Sequence, residues 1–215
     1  MITAAALRPA ATAGPEESGP SSSGRRFFDA NNGVWMVKVF PGEYYVTSRS
    51  DEVLVTILGS CVSACIRDPR TGIGGMNHFM LAQGQSQSWD GDPESARYGN
   101  FAMEKLINEL LKAGCSRQSL EIKVFGGGNV TDTRNLIGTQ NCEFVLRYLE
   151  SEGLPIAAQD LGGQYPRRIH YYPSTGRVVR RLLAGSDTTA IAREESEYAG
   201  RLKSRKVAGE IELFE

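Results

Sequence analysis

Residues 59–81 constrain the fold of this chain more than any other segment, because they predict a β-hairpin that carries both a thiol and an imidazole. Asp68-Pro69 favours the start of a turn, since proline presets φ for the second position of a type I turn. A four-residue loop over residues 68–71 then places Cys61 directly opposite His78. The pattern therefore predicts that these two side chains lie on one face of the hairpin.

Directly opposed residues in an antiparallel pair have Cβ atoms about 4.5–5.5 Å apart, close enough for a nucleophilic Cys–His pair. A slip of one residue would send Cys61 and His78 to opposite faces, and the glycines at 72, 74 and 75 could introduce a bulge. The non-catalytic alternative is that Cys61 is buried and serves only as a small hydrophobic residue.

The composition bounds what the chain can bind. Its 215 residues suffice for one well-buried domain with tails, and its net charge of −1 gives no general attraction to nucleic acid. No apolar run approaches the roughly 20 residues that span a bilayer, so we expect no membrane insertion. The four cysteines are scattered and no secretory signal is evident, which predicts a reducing cytoplasm.

The chain divides into three predicted segments. Residues 1–26 are rich in Ala, Pro, Gly and Ser and predict a disordered leader. Residues 27–186 form the folded domain, and residues 187–215 form a charged C-terminal extension that is helical over 187–206. The basic end of this helix is typical of a solvated face, although it could dock a partner.

Alternating and helical apolar patterns predict a mixed α/β domain with largely antiparallel sheets, since most connections read as hairpins. The expected strands are 37–39, 44–47, 53–58, the 59–81 hairpin, 120–125, 156–160, 168–172 and 177–182. The expected helices are about 95–113 and a second one that begins near 135 or 139 and ends at 152.

Several residues near Cys61 are candidates for roles in catalysis. Backbone N–H groups around Ser60 and Cys61 could stabilise an oxyanion. Thr56 precedes the cysteine on a strand that we expect to run beside the hairpin, where its hydroxyl could hold the His78 imidazole, although spacing alone favours a simple strand residue. Asn77 is a poor candidate because it points to the opposite face from His78.

A zinc site is the rival interpretation of the same residues. Cys61, Cys65 and His78, with Cys115 or Cys142, could supply a tetrahedral ligand set. The glycine run 126–128 could cradle a phosphate, but it matches neither the P-loop nor the dinucleotide fingerprint, so a tight turn or a wall of the active-site cleft is favoured. The second histidine, His170, is predicted to be a surface or edge residue.

Together these motifs resemble the CheD family of chemoreceptor glutamine deamidases. The resemblance lies in Thr56-Ile57-Leu58-Gly59-Ser60-Cys61, in Gly74-Gly75-Met76-Asn77-His78-Phe79, in Lys123-Val124-Phe125-Gly126-Gly127-Gly128-Asn129 and in Asp160-Leu161-Gly162-Gly163, in that order. It covers roughly residues 37–183.

The resemblance implies a three-layer α/β sandwich related to the catalytic domain of the cytotoxic necrotizing factor toxins. It also implies a protein-glutamine glutaminase with a Cys–His–Thr triad, in which Cys61 is the nucleophile, His78 the base and Thr56 the third member. The expected reaction converts receptor glutamines to glutamate with release of ammonia through a thioester on Cys61.

The implied substrate is the cytoplasmic helical bundle of methyl-accepting chemotaxis receptors, and the implied location is the cytoplasm at receptor clusters. No metal or organic cofactor is implied, and the CheC phosphatase is an implied partner of some members. Two alternatives remain open at this point: a non-catalytic adaptor that binds receptors or CheC, and a Cys–His peptidase or acyltransferase.

Overall fold

The computed structural model describes residues 25–81, 93–130, 137–184 and 186–204. The predicted leader lies outside the described residues except for its last two positions, where Arg26 begins the first strand. The division into leader, domain and extension therefore stays a prediction.

The described residues contain ten strands and three α-helices. The strands are β1 (Arg26–Asp29), β2 (Val34–Lys38), β3 (Tyr44–Thr47), β4 (Glu52–Leu58), β5 (Val62–Arg67), β6 (Gly74–Asn77), β7 (Glu121–Gly126), β8 (Ile156–Leu161), β9 (Arg167–Tyr172) and β10 (Arg177–Leu182). The helices are α1 (Pro93–Lys112), α2 (Ile137–Ser151) and α3 (Ser186–Ser204), and a short 3-10 turn covers Arg117–Ser119.

The strands form two five-stranded sheets. The first has the order β1-β2-β4-β9-β10 and the second the order β3-β6-β5-β7-β8. Within the described residues only the pairs β2–β4 and β7–β8 are parallel, and the other neighbouring strands run antiparallel. The predicted mixed α/β fold with largely antiparallel sheets is confirmed.

Two hydrophobic clusters hold the layers together. One contains buried residues of both sheets, such as Leu54 on β4 and Met76 on β6, and so fills the space between the sheets. The other contains Val124 on β7 with Leu106 on α1 and Phe144 on α2, and so joins the second sheet to these helices. Burying each such side chain contributes about 1.5–3 kcal/mol, so the second sheet, packed on both faces, is the best-anchored layer.

The predicted hairpin forms from β5 and β6, but its register was predicted wrongly by two residues. Arg67 lies opposite Gly74 rather than opposite Gly72. The reason is Gly72 itself, whose φ of 72° lies in the left-handed region that favours glycine. Gly72 therefore belongs to the loop, which begins one residue later than the predicted 68–71.

Moving a loop by one residue moves the register by two, so every side chain keeps its face. The isolated bridge between Val62 and Phe79 continues this register and brings His78 opposite Ser63. Cys61 and His78 are consequently diagonal neighbours on one face rather than an opposed pair. Diagonal positions are about 7–8 Å apart at Cα, still within reach of longer side chains.

The strand that carries Thr56 does not run beside the hairpin, which corrects the prediction. β4 lies in the first sheet between β2 and β9, whereas the hairpin belongs to the second sheet. Thr56 is buried and reaches the hairpin across the space between the two sheets. The candidate site therefore lies between the sheets, where each sheet supplies part of it.

None of the helices in the described residues is long and apolar enough to cross a membrane.

Candidate active site

Cys61 lies in the short connection between β4 and β5, directly before β5 begins, and its side chain is completely buried. The glycine run after β7 fixes the backbone of this connection. Gly127 donates its N–H to the carbonyl of Cys61 at 2.8 Å, and Gly128 donates to the carbonyl of Gly59 at 2.7 Å. Because their N–H groups are used in this way, the glycine run forms a wall behind Cys61 rather than a phosphate cradle.

The close approach of these two segments requires glycine. A Cβ at Gly126 would lie 2.1 Å from the carbonyl oxygen of Cys61, and φ at Gly126 is 115°. No L side chain fits this contact or readily adopts this conformation. Gly126 is therefore needed to position the candidate nucleophile.

Asn141 on α2 is a further positioning residue that the sequence did not single out. Its side chain is fully buried; its Nδ2 donates to the carbonyl of Ser60 at 2.7 Å, and its Oδ1 accepts the N–H of Leu81 at 2.8 Å. One amide thus ties the residue before Cys61 to the segment that follows His78. The signal available in the sequence was the position of Asn141, a polar residue on the apolar face of the predicted helix.

We expect Asn141→Ala to lower the free energy of unfolding by about 2–4 kcal/mol, because two buried backbone groups lose their partners. The exposed Glu150 on the same helix supplies the matched control, and Glu150→Ala should change stability by less than about 0.5 kcal/mol. Urea titration of the three proteins measures the difference. Equal stability of Asn141→Ala and the control would contradict the positioning role.

Thr56 holds the imidazole of His78 by a short hydrogen bond. The Thr56 hydroxyl lies 2.8 Å from Nδ1 of His78 and donates to the carbonyl of Val39 at 2.8 Å. A hydroxyl has one hydrogen, and that of Thr56 is donated to Val39. The hydroxyl oxygen therefore accepts a hydrogen bond from Nδ1–H of His78. His78 is therefore in the Nδ1–H tautomer, which leaves Nε2 unprotonated.

Nε2 of His78 is buried and has no hydrogen-bond partner among the described residues. An unprotonated ring nitrogen on the Cys61 face of the hairpin is what a general base requires. Asn77, as predicted, points away: its side chain accepts the N–H of Ala64 and donates to the carbonyl of Ala102 on α1. The structure thus brings Thr56 and His78 into contact and leaves Asn77 outside the site.

Three consecutive N–H groups at Cys61 converge on one carboxylate, that of Glu195. Gly59 and Cys61 donate to its Oε1 at 2.9 Å and 3.1 Å, and Ser60 donates to its Oε2 at 2.8 Å. The Ser60 hydroxyl also donates to Oε2 at 2.8 Å. The predicted oxyanion donors at residues 60 and 61 therefore point to a common centre, which is occupied by an anion from the same chain.

Glu195 comes from α3, the helix predicted over 187–206 and present as Ser186–Ser204. The sequence prediction for this helix concerned only its basic end, as a solvated face, and did not single out Glu195. Ile191, Tyr198 and Leu202 are buried at helical spacing around Glu195, which is itself only 6% exposed. The missed signal was an acidic residue inside an apolar stripe.

The electrostatics of the site disfavour charge on both candidate catalytic groups. Burial raises the pKa of the Cys61 thiol well above its ordinary value, and the charge and hydrogen bond of Glu195 raise it further. Burial lowers the pKa of His78, against the opposing effect of the Glu195 charge. With Glu195 in place, the pair is therefore a neutral thiol and a neutral imidazole.

The structure does not assemble the ligand set of the zinc alternative. Cys65 lies in the cluster between the sheets, Cys115 lies in the helix-side cluster, and Cys142 contacts the carbonyl of Gly127. In the part of the chain that the structure describes, no three His, Cys, Asp or Glu side chains are grouped to hold a metal ion.

Of the two predicted positions for His170, surface or edge, the structure confirms the surface one. It lies on β9, which pairs with β4 on one side and β10 on the other. Its neighbours Ile169 and Tyr171 are buried in the cluster between the sheets, so the alternation of a strand directs His170 to the outer face. It is partly exposed there and contributes nothing to the Cys61 site.

Comparison with known proteins points to one family. Residues 80–182 match the family model described as CheD chemotactic sensory transduction. A protein of Rhodopseudomonas palustris named probable chemoreceptor glutamine deamidase CheD is 55% identical over 190 residues, covering 88% of this chain and 89% of that protein. A Methylobacillus flagellatus protein of the same name is 53% identical over 192 residues, covering 87% of this chain and 94% of that protein.

Solved structures give a more distant similarity. The Bacillus licheniformis hypothetical protein YfiH aligns with a TM-score of 0.37 and 11% identity, covering 57% of this chain and 50% of that one. An overlap this loose carries no argument about the fold or the site.

Proposed function

This chain belongs to the CheD family, and from that premise we propose that it is a chemoreceptor glutamine deamidase that uses Cys61 as its nucleophile. The observation that carries the chemistry is the buried His78, whose Nδ1 is held by Thr56 while Nε2 stays free on the Cys61 face. A thiol and such a base on one face of a hairpin suit acyl transfer better than they suit metal binding.

In the proposed first step, Nε2 of His78 takes the proton of Cys61 while Sγ attacks the δ-carbonyl carbon of a receptor glutamine. The oxygen of the tetrahedral intermediate binds the N–H groups of residues 59–61, whose directions are fixed by the contacts behind them. His78 then gives its proton to the departing nitrogen. Ammonia leaves, and a thioester joins Cys61 to the substrate.

In the second step, His78 takes a proton from water, which attacks the thioester carbon. The intermediate collapses to glutamate and releases the thiolate of Cys61, which regains its proton from His78. The net reaction is one amide and one water giving one carboxylate and one ammonium ion, because the carboxylic acid that forms passes its proton to ammonia, so the enzyme ends as it began. Thr56 orients the imidazole in both steps without touching the substrate.

Thr56→Val keeps the shape and the strand propensity but removes the hydrogen bond to His78. We expect kcat to fall about 10-fold with little change in KM, because the bond orients the base rather than binding the receptor. Thr56→Ser retains the hydroxyl and should recover most of the activity. Steady-state kinetics on the two variants measures this, and wild-type kcat in Thr56→Val would reduce Thr56 to a packing residue.

The activity itself is tested by incubating the protein with a recombinant cytoplasmic fragment of a chemotaxis receptor and mapping the peptides by mass spectrometry. Deamidation adds about one dalton at each converted glutamine and leaves the backbone intact. Cleaved backbone would indicate the peptidase alternative. An unmodified receptor fragment, bound by the protein, would indicate the adaptor alternative.

The location and the partners of the protein are further proposals. We place it in the cytoplasm at receptor clusters, because its substrates are receptor cytoplasmic segments. Binding to a CheC phosphatase is a further proposal, as is kinship with the catalytic domain of the cytotoxic necrotizing factor toxins, both resting on the sequence motifs around Cys61 and His78.

A further inference from the structure

We propose that α3 closes the active site from within the chain, with the Glu195 side chain seated as a mimic of the glutamate product. This inference rests on the proposed deamidase function, because the mimicry is defined by that reaction. Receptor binding must then displace α3 before a glutamine reaches Cys61.

Four hydrogen bonds from residues 59–61 hold the carboxylate of Glu195. One oxygen of Glu195 accepts the N–H groups of Gly59 and Cys61, and the other accepts the N–H and the hydroxyl of Ser60. Each hydrogen-bond partner found in the described residues is a neutral donor rather than a cation. Two N–H groups that donate to one oxygen beside a candidate nucleophile, as those of Gly59 and Cys61 do, are the arrangement of an oxyanion site, and a glutamate side chain is what the reaction leaves there.

Two glycines, Gly42 and Gly59, leave room around the site for side chains of α3. A Cβ at Gly59 would lie 2.6 Å from Oε2 of Glu195, so a side chain at that position would collide with the carboxylate. A Cβ at Gly42 would lie 2.6 Å from the hydroxyl of Tyr198 on α3. Gly42 in turn donates its N–H to the carbonyl of His78 at 2.7 Å. The seat of α3 is therefore continuous with both the nucleophile segment and the base segment.

An apolar stripe of α3 flanks Glu195. Tyr198 and Leu202 pack into the cluster between the two sheets, and the Tyr198 hydroxyl lies 2.6 Å from that of Tyr98 on α1. These contacts dock the helix, and Glu195, one turn before Tyr198, is the buried charged residue among the described side chains of α3. Because burying a carboxylate carries a desolvation cost that offsets part of its hydrogen-bond gain, the docked helix can be displaced by a competing ligand.

With α3 seated, the site cannot act on a receptor. Cys61 is completely buried and His78 is 3% exposed, so a substrate side chain has no path to the thiol. Glu195 occupies the groups that would bind the oxyanion, and burial together with the Glu195 charge raises the pKa of the Cys61 thiol, which favours its unreactive protonated form. Opening of α3 would free the N–H groups of residues 59–61 and remove the adverse charge together.

The test compares Glu195→Ala with Glu194→Ala, a matched change at an exposed position of the same helix. Two rates are measured: deamidation of a receptor cytoplasmic fragment below KM, and alkylation of Cys61 by iodoacetamide, followed by peptide mapping. Loss of charge-assisted hydrogen bonds should favour the open state enough to raise both rates about tenfold or more in Glu195→Ala. Glu194→Ala should match the wild type, and the partly exposed Cys142 gives an internal reference for alkylation.

The two rates separate the two proposals. If alkylation of Cys61 accelerates but no variant deamidates the receptor fragment, the deamidase assignment fails and the closure by α3 stands. If Glu195→Ala matches Glu194→Ala in both rates, or slows them while remaining folded, the closure is overturned.

The mimicry itself is tested with Glu195→Gln, which keeps the shape of the side chain and guards against failure of the alanine variant to fold. If the side chain sits where a substrate amide reacts, Cys61 should attack the new glutamine, release ammonia and, after hydrolysis by water, leave glutamate at position 195. Mass spectrometry should find the conversion in Glu195→Gln and not in the Cys61→Ala, Glu195→Gln double variant. A glutamine that persists at position 195 in a variant that still deamidates the receptor would overturn the mimicry.

Discussion

Cys61→Ala is expected to abolish receptor deamidation, with a loss of at least about 10⁴-fold, since no other group can form the thioester. Cys61→Ser should be equally inactive, because a hydroxyl held by a neutral imidazole is a far weaker nucleophile than a thiolate. Both variants should fold, as a buried cysteine side chain is close in size to its replacements. The measurement is the rate of glutamine-to-glutamate conversion in a receptor cytoplasmic fragment, alongside the melting temperature.

The other three cysteines are the natural controls for this experiment. Cys65, Cys115 and Cys142, each changed singly to Ala, should retain most of the activity, because they pack in the two hydrophobic clusters or contact the carbonyl of Gly127 rather than the N–H groups of residues 59–61. Deamidation by Cys61→Ala at near the wild-type rate would refute the nucleophile assignment.

His78→Ala is the second change with a large expected effect. General acid–base catalysis is typically worth about 10²–10⁴-fold, so we expect kcat to fall within that range. The loss should be smaller than that of Cys61→Ala, since water can move protons slowly while nothing else can carry the acyl group. Steady-state kinetics on the receptor fragment measures the loss.

His170→Ala provides the comparison, because His170 lies on the outer face of the first sheet, away from the site. Its kcat should stay within about twofold of the wild type. Similar losses in the two histidine variants would mean that His78 acts through the fold rather than as the base.

The sequence correctly predicted that Cys61 and His78 share a face, although it placed them directly opposite each other rather than diagonally. Local turn rules correctly indicated a four-residue loop but not its position. The left-handed Gly72 belongs inside the loop, and the carboxylate of Asp68 is held by the distant Ser116 N–H and Ser119 hydroxyl, neither of which local rules can see. Because the resulting error in register was an even number, the conclusion about the site survived.

The parts that could not be predicted depend on contacts between distant segments. The pattern of β4 identifies it as a buried strand but does not say which sheet it joins, so Thr56 was expected beside His78 rather than across from it. Asn141 and Glu195 lie on helices far along the chain, and only the fold brings them to the backbone of residue 60. In each case the visible signal was a polar residue on an apolar helix face, which indicates a buried role but not its partner.

The most direct test of the Cys61 mechanism is to run the reaction in the presence of hydroxylamine. A thioester on Cys61 would partition between water and hydroxylamine, so mass spectrometry of the receptor fragment should find glutamyl hydroxamate at the same glutamines that are otherwise converted to glutamate. The hydroxamate should be absent with Cys61→Ala and present with Cys65→Ala. Glutamate formation with no hydroxamate at any hydroxylamine concentration would contradict an acyl-enzyme on Cys61.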